Sequence, residues 1–450
     1  MSSSTTSSAA SPFTKAVVSS MRKLYPEALA DKSFDNTGLL LEAPFDSLRR
    51  QMNSVLLTVD LTQAVASEAI ENKHCCVVAY HPIIFRGLKS LTLADSQQSS
   101  LLRLALEGIS VYCPHTAVDA VPGGMTDWLC DIVTGTPPVP HGEKTASVSK
   151  AESIPQETAQ PPHGESNSES QTKKPQQNSD RQPKSEDDAF DDGAALPRSP
   201  TKSSSKRPDM KRTYSKPVYP QSSSNQNSNS NNPLTTYLPH TRTVLHPSPI
   251  SSLSTVPSPS SYSQDNTGFG RLLTFSHTEP QPLTHLIERI ALGVGTPKGF
   301  PVAIPQDQQV DDIMIRTVGV CPGSGAGVLK DCGADLIFTG ELAHHDALAV
   351  TERGGCVVGL FHSNSERGFL HAVMRPKLEG LLKEEWGRVR GEYLEKGDKD
   401  GDGDGDGPVV NEELEDALAD ESVNVEVSRV DRDPYGIVVL EGSQVEGTKI

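Results

Sequence analysis

Residues 75–85 read Cys-Cys-Val-Val-Ala-Tyr-His-Pro-Ile-Ile-Phe. Cys75–Ala79 holds no charged or amide side chain, the pattern of a short strand covered on both faces. Such strands belong to parallel sheets flanked by helices. The next residues, Tyr80-His81-Pro82, place an imidazole just past the strand's carboxyl end. Open α/β sheets gather their reactive groups at that edge.

Outward from this point the chain alternates. Gly38–Leu41, Ser54–Val59 and Ser110–Cys113 read as strands, with helices at Phe13–Leu29, Leu61–Asn72, Gln97–Glu107 and from Met125. The second half repeats the logic, with strands at Ile315–Val320, Leu336–Thr339 and Gly355–Leu360. Helices are expected at Leu283–Ala291, Gly327–Cys332, His345–Thr351 and Glu366–Leu382, and tail strands at Val423–Val427 and Gly436–Leu440. This alternation predicts an α/β fold: two α/β lobes with mixed, mostly parallel sheets flanked by helices.

Between the halves the composition changes. Residues 141–266 hold 26 serines and 16 prolines, a third of the stretch, too little apolar surface to offset the entropy of ordering. The expected organisation is a disordered tail at 1–12, a first lobe at 13–136, a disordered Ser/Pro-rich insert at 137–265 and a second lobe at 266–450. An acidic loop, residues 398–407, interrupts the second lobe. Its Asp402, Asp404, Asp406, Gly407 and Glu413 fit the calcium-loop pattern, but an Asp-Gly repeat meets half of that rule automatically, so a solvated acidic loop is expected.

The insert has 14 basic and 13 acidic residues, which leaves 27 basic and 45 acidic residues on the foldable part. That acidity disfavours direct nucleic-acid binding through phosphates. The sequence has no apolar run of membrane-spanning length, so no membrane helix is expected. Seven cysteines without a C-x-x-C exclude a thiolate zinc ribbon and argue against a secreted disulfide scaffold. A cytoplasmic home follows, with the basic patch Lys206–Lys216 leaving a nuclear one open. The first residues lack acids until Glu27, which suits a mitochondrial presequence, but Phe13, Val17, Met21 and Leu24 near helical spacing suit a first domain helix better.

Four strands end in imidazole or carboxylate. The groups are His81; His115 with Asp119; Glu341 with His344 and His345; and His362 with Glu366. Nitrogen and oxygen ligands without thiolate suit Zn, Fe, Mn, Co or Ni, which this pattern does not distinguish. His362 and Glu366 are four apart and share one side of a helix that starts near His362. Adjacent His344 and His345 diverge, so at most one faces the site. The turn Cys321-Pro-Gly-Ser-Gly-Ala-Gly327 is neither a Walker A loop nor a G-x-G-x-x-G. It reads first as a tight strand–helix connection and second as an anion site.

These residues carry a resemblance. Phe34-Asp35-Asn36-Thr37-Gly38-Leu39-Leu40, Ala79-Tyr80-His81-Pro82-Ile83-Ile84-Phe85, Pro114-His115-Thr116-Ala117-Val118-Asp119, Gly268-Phe269-Gly270-Arg271, Gly323-Ser324-Gly325, Thr339-Gly340-Glu341-Leu342-Ala343-His344-His345 and His362-Ser363-Asn364-Ser365-Glu366-Arg367-Gly368 occur in order. The chain resembles the NGG-one-interacting factor-three-like family, whose bacterial members are called GTP cyclohydrolase type two homologues. The resemblance implies a dinuclear metal centre in the cleft between lobes, with His81, Asp119, His362 and Glu366 as ligands, and assembly into ring-like hexamers. Many bacterial members have His-His-Pro where this chain has Tyr80-His81-Pro82, which is similar to the eukaryotic branch. A neutral phenol is a poor ligand, so one ion or two per chain is expected. The resemblance implies a metal-dependent hydrolase, with His115 as general base or orienting residue, or a non-catalytic partner of a transcriptional adaptor. The residues themselves give no support for GTP as substrate.

Overall fold

The computed structural model describes residues 11–45, 51–135, 236–397 and 412–438. The acidic loop with Asp402, Asp404, Asp406 and Gly407 of the calcium-loop pattern, the basic patch, the first ten residues and insert residues 136–235 lie outside the described residues.

The strands in chain order are β1 (Gly38–Leu41), β2 (Met52–Thr58), β3 (His74–Ala79), β4 (Ser110–Cys113), β5 (His240–Pro247) and β6 (Gly268–Phe275). They continue with β7 (Gln281–Pro282), β8 (Val302–Ala303), β9 (Met314–Ile315), β10 (Thr317–Ser324), β11 (Leu336–Glu341), β12 (Cys356–Gly359) and β13 (Asn424–Val427). One sheet runs β1-β4-β3-β2-β13, a second β5-β6-β10-β11-β12-β8, and β7 pairs with β9. In the first sheet only the β1–β4 edge pair is antiparallel. In the second, β10, β11 and β12 form a parallel centre with antiparallel strands on both sides. The mixed α/β architecture expected from the sequence is present. The apolar run is β3, buried along its whole length.

Two boundaries differ from the sequence expectation. The first concerns the insert. Its described part, residues 236–265, contains the edge strand β5, which alternates Thr241, Thr243 and Leu245 along its pairing with β6. An edge strand needs one ladder and one covered face, so its signal drowns in Ser/Pro-rich surroundings. Leu238 N–H donates to the Thr134 carbonyl (2.7 Å), so the described chain resumes where it broke off. The second concerns the tail. β13 pairs parallel with β2 of the first sheet, although it lies in the stretch assigned to the second lobe. The helix Arg375–Gly397 also packs with the first sheet's core, where Phe13 and Trp386 meet edge to face (ring centroids 5.4 Å). Residues 436–438 form no strand.

The helix Arg375–Gly397 is clamped to Pro12–Leu24 by a buried charge. Glu385 accepts from Ser19 Oγ (2.6 Å) and Arg388 (3.0 Å), and pairs with Lys23. Burial would raise its pKa, but these donors outweigh it and hold the carboxyl at about 2. A carboxyl depressed in the folded state stabilises the fold above its unfolded value near 4.5, and that contribution fades as pH falls from there toward 2. Lys23 and Arg388 are each nearly half exposed, so screening trims the effect. Glu385→Gln is expected to cost about 1–2 kcal/mol at neutral pH, shrinking below pH ~4. Urea melts at several pH values check both the size and the convergence.

Candidate metal centre

The site lies where the first sheet's β3 and the second sheet's β12 end. The β2–β3 ladder continues past the strand: Tyr80 N–H donates to the Thr58 carbonyl (2.9 Å) and His81 N–H to that of Val59 (3.0 Å). This fixes the backbone of both residues. From the other sheet, β12 runs into Phe361, whose φ of 67° is rare for a residue with a side chain. The chain then turns sharply through the 3₁₀ segment Ser363–Ser365. His362 and Glu366 straddle that turn and face one way.

His81, His362 and Glu366 offer ligand atoms within 4.8 Å of one another. His81 Nε2 stands 3.4 Å from Glu366 Oε2, and His362 Nε2 stands 3.4 Å from Glu366 Oε1. Two ligands each about 2.1 Å from one tetrahedral ion are about 3.4 Å apart. Glu366 is buried, and its Oε2 accepts no hydrogen bond from the protein. A buried carboxylate oxygen left so is costly unless a cation meets it. Each imidazole is also oriented from behind. His81 Nδ1 meets Asp60 Oδ1 (2.8 Å) and His362 Nδ1 meets Glu341 Oε1 (2.9 Å), so both Nε2 atoms point into the site. Metal-bound histidines are held in this way. Burial by itself would lower the pKa of the His81 ring; the charges of Glu366 and Asp60 outweigh it and raise it to about 10. The residues present fit one divalent cation.

Behind His81 the support extends to the tail. Arg367 donates to Asp60 Oδ2 (3.1 Å) and pairs with Asp431, whose carboxylate also accepts from Val59 N–H (2.7 Å). Ser363 Oγ donates to Asp433 (2.6 Å). The tail thus braces both histidine-bearing turns. A cavity of about 1540 Å³ opens beside His81, lined among others by Arg367, Phe361 and Tyr435. Asp60→Asn is expected to weaken metal binding by about 10–100-fold, measured by competition against a chelator. Unchanged affinity would deny Asp60 its orienting role.

Of the other sequence candidates, Asp119 is outside the trio. Its two oxygens accept from the Tyr80 hydroxyl at 2.8 and 3.0 Å. Burial pushes the Asp119 carboxyl well above the usual range against the pull of that hydrogen bond, and Glu366 adds repulsion. Burial and Asp119 drive the Tyr80 phenol up as well. His115 lies next to the trio, its ring 5.6 Å from that of His81, with Nδ1 on Asp35 (2.6 Å). His344 and His345 are exposed and meet each other edge to face, and neither belongs to the trio. The glycine turn serves for close approach: a Cβ on Gly323 would come within 2.7 Å of Glu366 Oε1 and 3.0 Å of His362 Nε2. Its N–H donates to Ser365 Oγ (2.8 Å), so it is not offered to an anion. Gly268–Arg271 is structural, with buried Arg271 bonded to Asp127 (3.0 Å). Asp35, Asp60, Arg367 and Asp431 had no assigned role. Asp60 follows a strand end, so the rule that found His81 would also have reached it.

Fold and site together define a two-sheet α/β protein with a histidine–carboxylate centre at the strand ends. The chain belongs to the Duf34/NIF3 (NGG1p interacting factor 3) family, whose sequence profile matches residues 13–388. It is 33% identical over 366 residues to the protein NIF3 homolog of Schizosaccharomyces pombe, covering 81% of this chain and 88% of that one. It is 29% identical to NGG1-interacting factor 3 of Saccharomyces cerevisiae over 380 residues, covering 83% and 91%. Among solved structures, a Bacillus cereus protein related to NIF3 aligns with a TM-score of 0.49 at 17% identity, covering 94% and 98%.

Proposed function

We propose that the chain is a metal-dependent hydrolase centred on His81, His362 and Glu366. One observation carries this reading: two imidazoles, each braced by a carboxylate at Nδ1, aim Nε2 at a buried carboxylate whose Oε2 accepts no hydrogen bond. Three protein ligands leave a coordination position open, the mark of a catalytic rather than a closed structural site. A divalent cation there supplies Lewis acidity toward an ester, phosphoryl or amidine group and makes water a better nucleophile.

The chain's own residues supply the rest. With Nδ1–H donated to Asp35, His115 keeps Nε2 as a basic nitrogen beside the trio, suited to taking a proton from water and returning it to a leaving group. The cavity beside His81 admits a substrate from the side that Arg367, Phe361 and Tyr435 line. The test loads the full chain with each of several divalent metals and assays phosphodiesters, nucleotides and cyclic amidines. Turnover that needs the metal and disappears in His362→Ala supports the reading. A metal-loaded protein inert across the panel, or activity unchanged in His362→Ala, removes it.

A second reading rests on the name of the yeast relative, an NGG1-interacting factor. On it, the chain docks a transcriptional adaptor and the metal centre is structural. Removing residues 139–232 tests this, because Thr134 and Leu238 already meet and the second sheet keeps β5. Lost adaptor binding with metal retained would favour docking; unchanged binding would place any docking surface elsewhere.

A further inference from the structure

We infer that the centre of this chain is mononuclear, because the Tyr80 hydroxyl occupies the place at Asp119 that a second cation would need. The inference rests on the metal-centre reading above and concerns its stoichiometry.

The first ion takes His81, His362 and Glu366, the only three such groups among the described residues that converge within 4.8 Å. A second ion beside them would draw on Asp119. Both oxygens of that carboxylate already accept from one phenol, at 2.8 and 3.0 Å. Tyr80 is itself buried, and its backbone is held on both sides: its N–H donates to the Thr58 carbonyl, and its carbonyl accepts from Cys113 Sγ (3.1 Å). Its ring meets that of His115 edge to face (5.4 Å) and lies tilted against that of His81 (5.0 Å), so the three rings pack against one another. A cation entering there would have to displace a hydroxyl proton and break a bifurcated hydrogen bond. In return it would gain Asp119, a share of Glu366 and, of the nearby rings, at most that of His115, whose Nδ1 is already bonded to Asp35 (2.6 Å).

Tyr80 is therefore a positioning residue. It turns a would-be metal ligand into a hydrogen-bonded wall of the site and holds Asp119 away from the ion. The chemistry then runs on one cation, with His115 as the neighbouring proton carrier in place of a second metal.

The experiment measures metal per chain on the full protein after loading with excess zinc and desalting, together with zinc affinity by chelator competition. Wild type is expected to hold about one ion, and Tyr80→His, which offers an imidazole beside Asp119, about two. Asp119→Asn keeps an acceptor for the Tyr80 hydroxyl, so the fold is preserved. It should leave about one ion bound, with affinity changed less than about tenfold, whereas His362→Ala should lose more than about a hundredfold. Two ions in wild type would overturn the inference. So would loss of the ion in Asp119→Asn, which would make Asp119 a ligand, and so would Tyr80→His remaining at one. No ion in wild type would instead sink the metal-centre reading itself.

Discussion

Glu366→Gln is expected to abolish metal retention while leaving the fold intact. The carboxylate is 1% exposed, and each of its oxygens stands 3.4 Å from a different imidazole Nε2. An amide is nearly the same size, so packing against the turn at Gly323 is kept. What goes is the negative charge that offsets the cation's own between the two imidazoles. One end of the amide would also point an N–H donor at the ion's position. Losing this ligand should exceed the roughly 10–100-fold cost of changing a residue that only orients a ligand from behind. The fall should thus be larger than that for Asp60→Asn, and the order of the two variants is itself a prediction. Chelator competition gives the affinities, and circular dichroism confirms that the fold survives. Glutamine at 366 with near wild-type affinity would mean that the two histidines bind the ion elsewhere.

The sequence showed the parts of this site that rest on local pattern. His81 was legible because Cys75–Ala79 is apolar throughout and the imidazole follows directly. His362 and Glu366 were legible because they are four apart across a helix start, although the turn between them proved 3₁₀ rather than α. What no local pattern carries is partnership across the chain. Asp60 lies 307 residues from Arg367, and Asp431 reaches back 372 residues to the Val59 N–H. The same holds for β13, where burial is concentrated on Val425, too little to declare its sheet. Tyr80 was seen as a departure from a ligand. Its hydrogen bond to Asp119 requires β3 and the helix Thr116–Ala120 to be placed in space, and a sequence read in order does not do that.

Gly323→Ala tests a glycine whose absent side chain makes room for the centre, and it should damage stability and metal binding separately. Gly323 has φ of +58°, a left-handed conformation that costs an L-residue about 1–2 kcal/mol. Its Cβ would also lie 2.7 Å from Glu366 Oε1, closer than real Cβ contacts come, and 3.0 Å from His362 Nε2, a tight contact. Glu366 is buried and cannot retreat into solvent, so the two ligands must part. The strain is present with or without metal, so the chelated protein should lose about 2–3 kcal/mol by denaturant titration. The clash falls on two ligands of the ion, so zinc should rescue the variant far less than it rescues wild type. The gap between zinc-loaded and chelated stability, large for wild type by mass action, should nearly close. Gly327, in the same turn, supplies the control. A Cβ there meets nothing within 4 Å, so Gly327→Ala should leave both stability and metal affinity close to wild type. If Gly323→Ala kept the full zinc-dependent gain, the ion would not sit between His81, His362 and Glu366, and the glycine would be needed for the turn alone.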